Sequence, residues 1–261
     1  MRRRLLSSIL CTALFAAGPA FADKRASAEE ATRAESERAA DAASAKEVAA
    51  PPPGGESKKV RLPDFVPPNL GRPKGTVGGG TRSMGAADPA RVGALAPSEI
   101  ALTLEGQPKL YWYLSADSRD GARLAIVPDG AESTPILRAT IAGPLRAGVQ
   151  RIALADYGIR LEPGVTYLWT VALAPDPSRT WDVMMIGGAI QRTQPAADLR
   201  SDLASADAAE TFFILAKAGI WYDALDAIST QIDASPNASE PRQQRDSLLE
   251  QAGLGRLVPT E

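Results

Sequence analysis

Carboxylates are the side chains of this sequence most able to carry out chemistry, because histidine is absent and cysteine nearly so. The 261 residues include no histidine and a single cysteine, Cys11. A chain without these residues lacks imidazole and thiolate metal ligands, cysteine nucleophiles and the commonest general base near neutral pH. Carboxylate, hydroxyl or amine chemistry remains, and its most familiar form is glycoside hydrolysis by two Asp or Glu residues.

The acidic residues show no spacing that singles out a catalytic pair. Those of the central region lie in or beside predicted loops, where charges are expected in any β-sandwich: Asp117, Asp120, Asp129, Asp156, Glu162, Asp176 and Asp182. The stretch SADSRDG could offer oxygen ligands to Ca²⁺, but it lacks the closing glutamate of an EF-hand, and a β-turn is favoured. We therefore predict no catalytic residue, no metal site and no cofactor.

A glycine-rich segment, GRPKGTVGGGTRSMG at residues 71–85, could be taken for a phosphate-binding loop. Such a loop has the spacing GxxxxGK[ST], follows a buried strand and opens a helix. Here Thr81 and Arg82 follow Gly80, and proline and glycine dominate both flanks. We interpret residues 60–96 as a Pro/Gly-rich tether that does not bind nucleotides.

The chain begins with the pattern of a secretory signal peptide. Arginines at residues 2–4 precede an apolar run at residues 5–17, and Ala20 and Ala22 form an A-x-A cleavage site. The run is shorter than the roughly 20 residues that span a bilayer. We predict a signal peptide at residues 1–22 and a periplasmic or secreted protein without a transmembrane anchor. The secretory route is favoured, with twin-arginine export as the alternative.

The residues that follow the signal indicate a solvated spacer. Residues 23–59 are mostly alanine and charged residues, end in a Pro-Gly linker and offer no apolar face, so they are expected to be disordered or partly helical. The net charge of −2 becomes −5 once the three signal arginines are removed. Since no basic stripe accompanies it, we predict no nucleic-acid binding.

The central region, residues 97–194, has the pattern of a series of strands. Short apolar runs separated by turn clusters lie at residues 100–104, 109–115, 122–128, 136–141, 149–155, 166–173 and 181–193. Seven such runs in about a hundred residues are typical of an antiparallel β-sandwich. We assign three of the aromatic residues at alternating positions, Trp112, Tyr167 and Trp169, to the core of this sandwich.

One local pattern makes this interpretation more specific. The stretch LEPGVTYLWTV at residues 161–171 resembles the tyrosine corner of immunoglobulin-like and fibronectin type III domains. In that device a tyrosine hydroxyl, here that of Tyr167, bonds to backbone upstream of its strand. We therefore expect an immunoglobulin- or fibronectin-III-like sandwich, which says nothing about activity.

Residues 195–261 change to helical periodicity. The stretch AKAGIWYDALDAISTQIDASPN is similar to the second half of a tetratricopeptide unit, with Gly219 and Trp221 among the matching structural positions. Only one unit is visible, and residues 239–252 offer a third helix. Because stacked repeats need about three units, we expect a tetratricopeptide-like hairpin or small bundle, with a short tail, that packs on the sandwich or on a partner.

Four motifs together resemble the secreted bacterial family called domain of unknown function 928. They are GGGTR at 78–82, PKLYWYL at 108–114, YLWTV at 167–171 and AGIWYDAL at 218–225. The resemblance covers roughly residues 65–254 and implies an exported protein with a β-rich middle and a helical end. The family has no assigned activity and supplies no catalytic residues.

Three function classes are compatible with these observations. We favour a non-enzymatic interaction or scaffold module of the bacterial cell envelope with an unidentified protein or peptide partner. Tyr222 is its candidate contact, because on a helix it points about 100° away from Trp221, so that one ring can be buried and the other exposed. The alternative is an envelope polysaccharide-binding sandwich that uses Trp181, and a carboxylate-dependent glycan hydrolase is less favoured. The oligomeric state is left open.

Overall fold

The computed structural model describes residues 59–75, 91–130, 133–173 and 183–259, which belong to one compact unit, residues 58–261. Four of the predictions above lie outside these residues: the signal peptide with Ala20 and Ala22, the spacer up to residue 58, the glycine run after residue 75, and Trp181. Among the helices that are described, none has the length and apolarity needed to cross a bilayer.

In the described residues, eight strands are followed by four helices. The strands are β1 (Val92–Ala94), β2 (Ile100–Thr103), β3 (Lys109–Leu114), β4 (Ala122–Pro128), β5 (Leu137–Ile141), β6 (Gly148–Ala153), β7 (Thr166–Leu173) and β8 (Met184–Arg192). The helices are α1 (Ala197–Ser205), α2 (Ala208–Lys217), α3 (Trp221–Ala234) and α4 (Ser239–Gln251), and a 3₁₀ turn covers Leu154–Tyr157. The protein is therefore mainly β and then helical, as predicted.

The strands form two sheets of different size. One has three antiparallel strands in the order β1-β3-β6, and the other has five in the order β2-β8-β7-β4-β5. All neighbours in the larger sheet are antiparallel except β2 and β8, which run parallel. The purely antiparallel arrangement that we predicted is wrong at this pair, because strands far apart in sequence have a connection long enough for parallel pairing.

The alternating residues of β3 and β7 form the centre of the molecule. Trp112 and Trp169 are fully buried, and Tyr167 is nearly so. The hydroxyl of Tyr167 accepts a hydrogen bond from the backbone N–H of Glu162 at 3.4 Å, a contact to upstream backbone as expected. Strand β3 buries its second face as well, with Tyr111 only 2% exposed, because helix α3 packs there.

The segment that we interpreted as a tether is part of the fold in two places. Strand β1 lies within it, and the following Leu95 is completely buried. Residues 59–75, here called the strap, also contact the core, since the Phe65 ring packs edge-on against Trp221 at 5.1 Å. The tether interpretation is therefore wrong for these residues, because prolines in the strap obscured the single buried aromatic that anchors it.

Side-chain amides of α4 hold the start of the strap. Gln251 accepts a hydrogen bond from the Phe65 N–H at 2.9 Å and donates one to the Pro63 carbonyl at 2.9 Å. Gln244, which is nearly buried, donates to the Arg61 carbonyl at 3.1 Å. The Arg61 guanidinium in turn lies 3.9 Å from the Phe213 ring centroid. The strap is therefore fixed by both polar and aromatic contacts with the helices.

The far end of the strap is fixed to the larger sheet. The carboxylate of Asp129, just after β4, accepts hydrogen bonds from the backbone N–H groups of Lys74 and Gly75, both at 2.9 Å. Between these ends, the Gly71 carbonyl accepts a bond from the Ile100 N–H at 3.0 Å. The strap thus connects the helices with the five-stranded sheet.

Glycine at the turn between α2 and α3 is required for two reasons. Gly219 has φ +72°, a conformation that other residues adopt at a cost, and a Cβ there would lie 2.5 Å from the Val66 carbonyl oxygen. Gly253, at the end of α4, has φ +75° with open space around the Cβ position. Both glycines therefore adopt a left-handed backbone conformation, but only Gly219 has a neighbouring atom that a side chain would displace.

We expect Gly219→Ala to lower the free energy of unfolding by at least about 1 kcal/mol more than Gly253→Ala does. Both substitutions carry the left-handed backbone cost of about 1–2 kcal/mol, and only the first forces the strap away from the hairpin. Urea unfolding of the two variants measures the difference. Equal midpoints would contradict the close packing of the strap against this turn.

Candidate functional site

Helix α3 begins with the sequence WYDALD, residues 221–226. Its polar side chains form hydrogen bonds with groups in the strands or directly after them. The Trp221 indole N–H donates to the Leu95 carbonyl at 3.0 Å, immediately after β1. Trp221 itself has no exposed surface. Because successive helical residues point about 100° apart, a helix with several buried neighbouring residues must be surrounded on more than one side. Helix α3 therefore bridges elements of both sheets.

Tyr222 is buried between α3 and the larger sheet. Its hydroxyl accepts a hydrogen bond from the Trp169 indole N–H at 2.8 Å and donates one to the Ala189 carbonyl at 3.1 Å. Burial raises the pKa of this tyrosine well above its ordinary value. With 1% of its surface exposed, Tyr222 is not accessible to a partner. Our expectation that it is a surface contact is wrong, because both sides of α3 are covered.

A glycine of β8 makes room for this hydrogen-bonded pair. A Cβ at Gly188 would lie 2.5 Å from the Ala96 Cβ, 3.1 Å from the Trp169 indole nitrogen and 3.2 Å from the Tyr222 hydroxyl. Any larger residue would displace one of these groups. The position of Tyr222 therefore requires a residue without a side chain, glycine, at position 188 of β8.

The next residue, Asp223, is a buried carboxyl group bound by β2. The Thr103 hydroxyl donates to its Oδ1 at 2.5 Å, and the Leu104 N–H donates to its Oδ2 at 2.8 Å. Burial raises the pKa of Asp223 to about 6, although these two hydrogen bonds oppose the increase. The negative charges of Glu105 and Asp226 add to the increase. Asp223 thus titrates nearer to neutral pH than an ordinary aspartate.

Asp226, one helical turn after Tyr222, binds β3. The Lys109 ammonium lies 2.9 Å from each of its carboxylate oxygens, and the Tyr111 hydroxyl donates to Oδ1 at 2.6 Å. The pKa of Tyr111 is raised, first by burial and then by this hydrogen bond to a carboxylate. The carboxylates of α3 thus bond groups of the chain itself, and the arrangement holds the helix to the strands.

Two of the loop carboxylates considered for chemistry also have structural partners. Asp117 accepts hydrogen bonds from the Ala147 N–H and the Arg146 guanidinium, both at 2.8 Å, and these contacts lower its pKa. Asp129 binds the strap. Asp176 and Asp182 lie outside the described residues. In the part of the chain that the structure describes, no cluster of three or more acidic side chains could hold a metal ion.

An open cavity of about 760 Å³, here called the basic groove, is a candidate binding surface. It is lined by residues from four segments: 72–75, 93–98, 186–189 and 252–257. Among the described lining residues, three side chains, Arg72, Lys74 and Arg256, are cationic and none is acidic. All three are exposed, and none forms an ion pair with a described residue.

The floor of the basic groove consists of small residues. Gly93 of β1 and Gly187 and Gly188 of β8 lie there beside alanines. A Cβ at Gly93 would lie 2.5 Å from the Leu257 side chain, so the C-terminal tail, residues 252–259, packs directly on β1. These buried small residues therefore lie between a cationic strap and a tail with one further cation.

A second cavity of about 580 Å³ lies between β3, β6 and the helices. It is lined by Tyr111 and Tyr113 together with Arg151, whose guanidinium lies 3.3 Å from the carboxylate of Asp233. Arg242 and Arg245 also line it, but Arg151 is paired with Asp233 and Arg245 with Asp246, so acids partly neutralise this cavity. It is therefore a weaker candidate for recognising a charged ligand.

The basic groove contains none of the candidate residues predicted from the sequence. Arg72 and Arg256 are 184 positions apart, and only the folded strap and tail bring them to one surface. Arg82 of the glycine run lies outside the described residues, as does the polysaccharide candidate Trp181. No local pattern of residues could have indicated this groove.

The protein thus has two sheets followed by helices, and one helix, α3, is bonded to strands of both sheets. It also has an exposed basic groove. A family model described as Domain of Unknown Function (DUF928) matches residues 77–261 of the chain. The protein therefore belongs to this family. No curated protein matches the chain.

We expect Tyr222→Phe to lower the free energy of unfolding by about 1–3 kcal/mol, because it leaves the buried Trp169 indole N–H without an acceptor. Tyr113→Phe is the matched control, since Tyr113 is also nearly buried and its hydroxyl bonds no described residue. Chemical denaturation followed by tryptophan fluorescence compares the two variants. Similar losses in both would show that the buried hydroxyl of Tyr222 contributes nothing specific.

We expect the stability advantage of the native chain over Asp223→Asn to decrease as pH rises from about 4 to 7. With its pKa at about 6, folded Asp223 holds a proton that the unfolded chain, with a value of 3.8, releases. This contribution is complete below pH 3.8 and lost as pH passes 6, a change of about 2–3 kcal/mol. Urea midpoints at several pH values measure it, and parallel curves would contradict the burial of an ionisable Asp223.

Proposed function

We propose that the protein is an exported, non-enzymatic interaction or scaffold module of the bacterial cell envelope, and that it binds its partner in the basic groove. The export part rests on the N-terminal pattern of residues 1–22. The observation that carries the binding part is the presence of Arg72, Lys74 and Arg256 on one cavity without an acidic residue in its lining. Exposed cations on a common surface attract an anionic partner.

The polar groups of α3 support a binding rather than a catalytic role. Asp223 and Asp226 are engaged by strands β2 and β3, and the Tyr222 hydroxyl is engaged by β7 and β8. These contacts restrict the relative motion of the elements around the groove. A preorganised surface loses less conformational entropy on binding, so more of the interaction energy appears as affinity.

Finer features of the architecture belong to the same proposal. The contact between the Tyr167 hydroxyl and Glu162 supports an immunoglobulin- or fibronectin-III-like sandwich. The hairpin of α2 and α3, with Gly219 at its turn and Trp221 buried, supports a tetratricopeptide-like unit. In this proposal the hairpin packs on the sheets, and the partner does not contact its buried aromatics.

A polysaccharide-binding sandwich is the alternative, because three cations also suit an acidic polysaccharide. Its weakness is that the described residues of the groove lining include no aromatic side chain on which a sugar ring could stack. A carboxylate-dependent glycan hydrolase is a weaker proposal still, since Asp223 and Asp226 bond to the chain itself. We therefore favour a protein or peptide partner.

Site-specific crosslinking tests the proposed surface, because a chain with Cys11→Ser contains no thiol. A thiol-reactive photocrosslinker is attached at Ser98→Cys, in the groove, or at Thr140→Cys, an exposed position of β5 outside the groove lining. In cells of the native host we expect the groove position to capture one envelope component reproducibly, and the β5 position to capture none. Equal products at both positions, or none at Ser98, would contradict the proposal.

A further inference from the structure

We infer that the ligand of the basic groove is an acidic peptide segment of a partner protein. This inference rests on the proposed function and specifies the chemistry of the partner. The groove lining contributes three positive charges, whereas the chain as a whole has a net charge of −2. An acidic segment is therefore repelled by the molecule as a whole and attracted at this surface, which favours one orientation of binding.

Segments of two strands, β1 and β8, form the bottom of the groove. Strand β1 is an edge strand that pairs only with β3 among the described strands. The Ser115 N–H donates to the Arg91 carbonyl, and the Leu95 N–H donates to the Tyr111 carbonyl. The backbone groups of Arg91 and Leu95, on either side of β1, therefore point toward β3. Because the hydrogen-bonding direction alternates along a strand, the backbone groups of Val92 and Ala94 point away from β3.

Strand β8 shows a related feature. Its neighbour β2 pairs only with residues 189–192, so Ile186, Gly187 and Gly188 have no paired strand on that side. These residues are buried and β1 packs against β8, so the small residues of both segments form the closed bottom of the groove. Both strand segments contribute residues to the groove lining.

The remaining lining residues favour a peptide over a glycan. Two half-buried leucines of the tail, Leu254 and Leu257, lie among the cations. They suit the apolar side chains of a peptide, whereas Ser98 is the only uncharged polar side chain of the described lining. Specific sugar recognition needs several polar groups to bond hydroxyls, and aromatic faces on which rings pack. The volume of about 760 Å³ lies within the range of about 300–1,000 Å³ typical of ligand clefts.

Fluorescence anisotropy with defined probes tests this inference on the full chain. The probes are a labelled peptide of alternating Glu and Leu, the same peptide with Gln in place of Glu, and labelled polygalacturonate. We expect the Glu-Leu peptide to bind more tightly than the Gln-Leu peptide, and its affinity to fall as salt is added, since exposed charge pairs are screened.

Two charge-matched variants identify the surface that is used. Arg72→Glu/Lys74→Glu/Arg256→Glu reverses the three groove cations, and Arg119→Glu/Arg123→Glu/Arg138→Glu reverses three exposed arginines outside the groove lining. We expect the groove variant to weaken Glu-Leu peptide binding at least about tenfold, and the control to change it less than about threefold. Circular dichroism and melting curves verify that both variants remain folded.

Three results would overturn the inference. Equal loss of binding in both variants would show that only net charge matters. Binding of polygalacturonate but not of the peptide, lost in the groove variant, would make the ligand a glycan while leaving the groove as a binding site. If neither probe binds, an acidic peptide is not the ligand, and the crosslinking at Ser98→Cys separately decides whether the groove is used at all.

Discussion

The arrangement of the sheets and helices depends on the need to satisfy the polar groups that helix α3 buries. The Tyr222 hydroxyl, the Asp223 carboxyl and the Asp226 carboxylate each cost free energy when removed from water unless they find partners. Those partners lie on β2, β3, β7 and β8. Since the bonds are directional, α3 is restricted to one position relative to both sheets, whereas apolar contacts alone would allow it to slide.

The fixed position of α3 also affects the shape of the basic groove at the surface. Trp221, which bonds the Leu95 carbonyl, packs against Phe65 of the strap, and Gly188, which makes room for Tyr222, lies in the groove floor. The inner contacts of α3 and the outer walls of the groove therefore involve the same strands and the same strap. A substitution inside the molecule that shifts α3 would also change the shape of the groove.

Alternating apolar residues made the strands predictable, because a strand with one buried face must repeat every two residues, as Tyr167, Trp169 and Val171 of β7 do. The burial of Tyr222 was not predictable in this way. An amphipathic helix is expected to keep one side in solvent, and nothing in WYDALD reveals that strands cover both sides of α3. The basic groove was equally hidden, because Arg72 and Arg256 meet only after the strap and tail fold onto the sheets.

The attachment of the strap determines how the folded unit would respond to mechanical load. The described chain enters at Lys59, and its first contacts are those of Arg61 with Glu210 and Gln244, followed by the two bonds of Gln251. A pull transmitted from the preceding residues meets these side-chain bonds before it reaches either sheet. Under tension the strap would release from α2 and α4 first, while the strand ladders that carry the core stay unloaded.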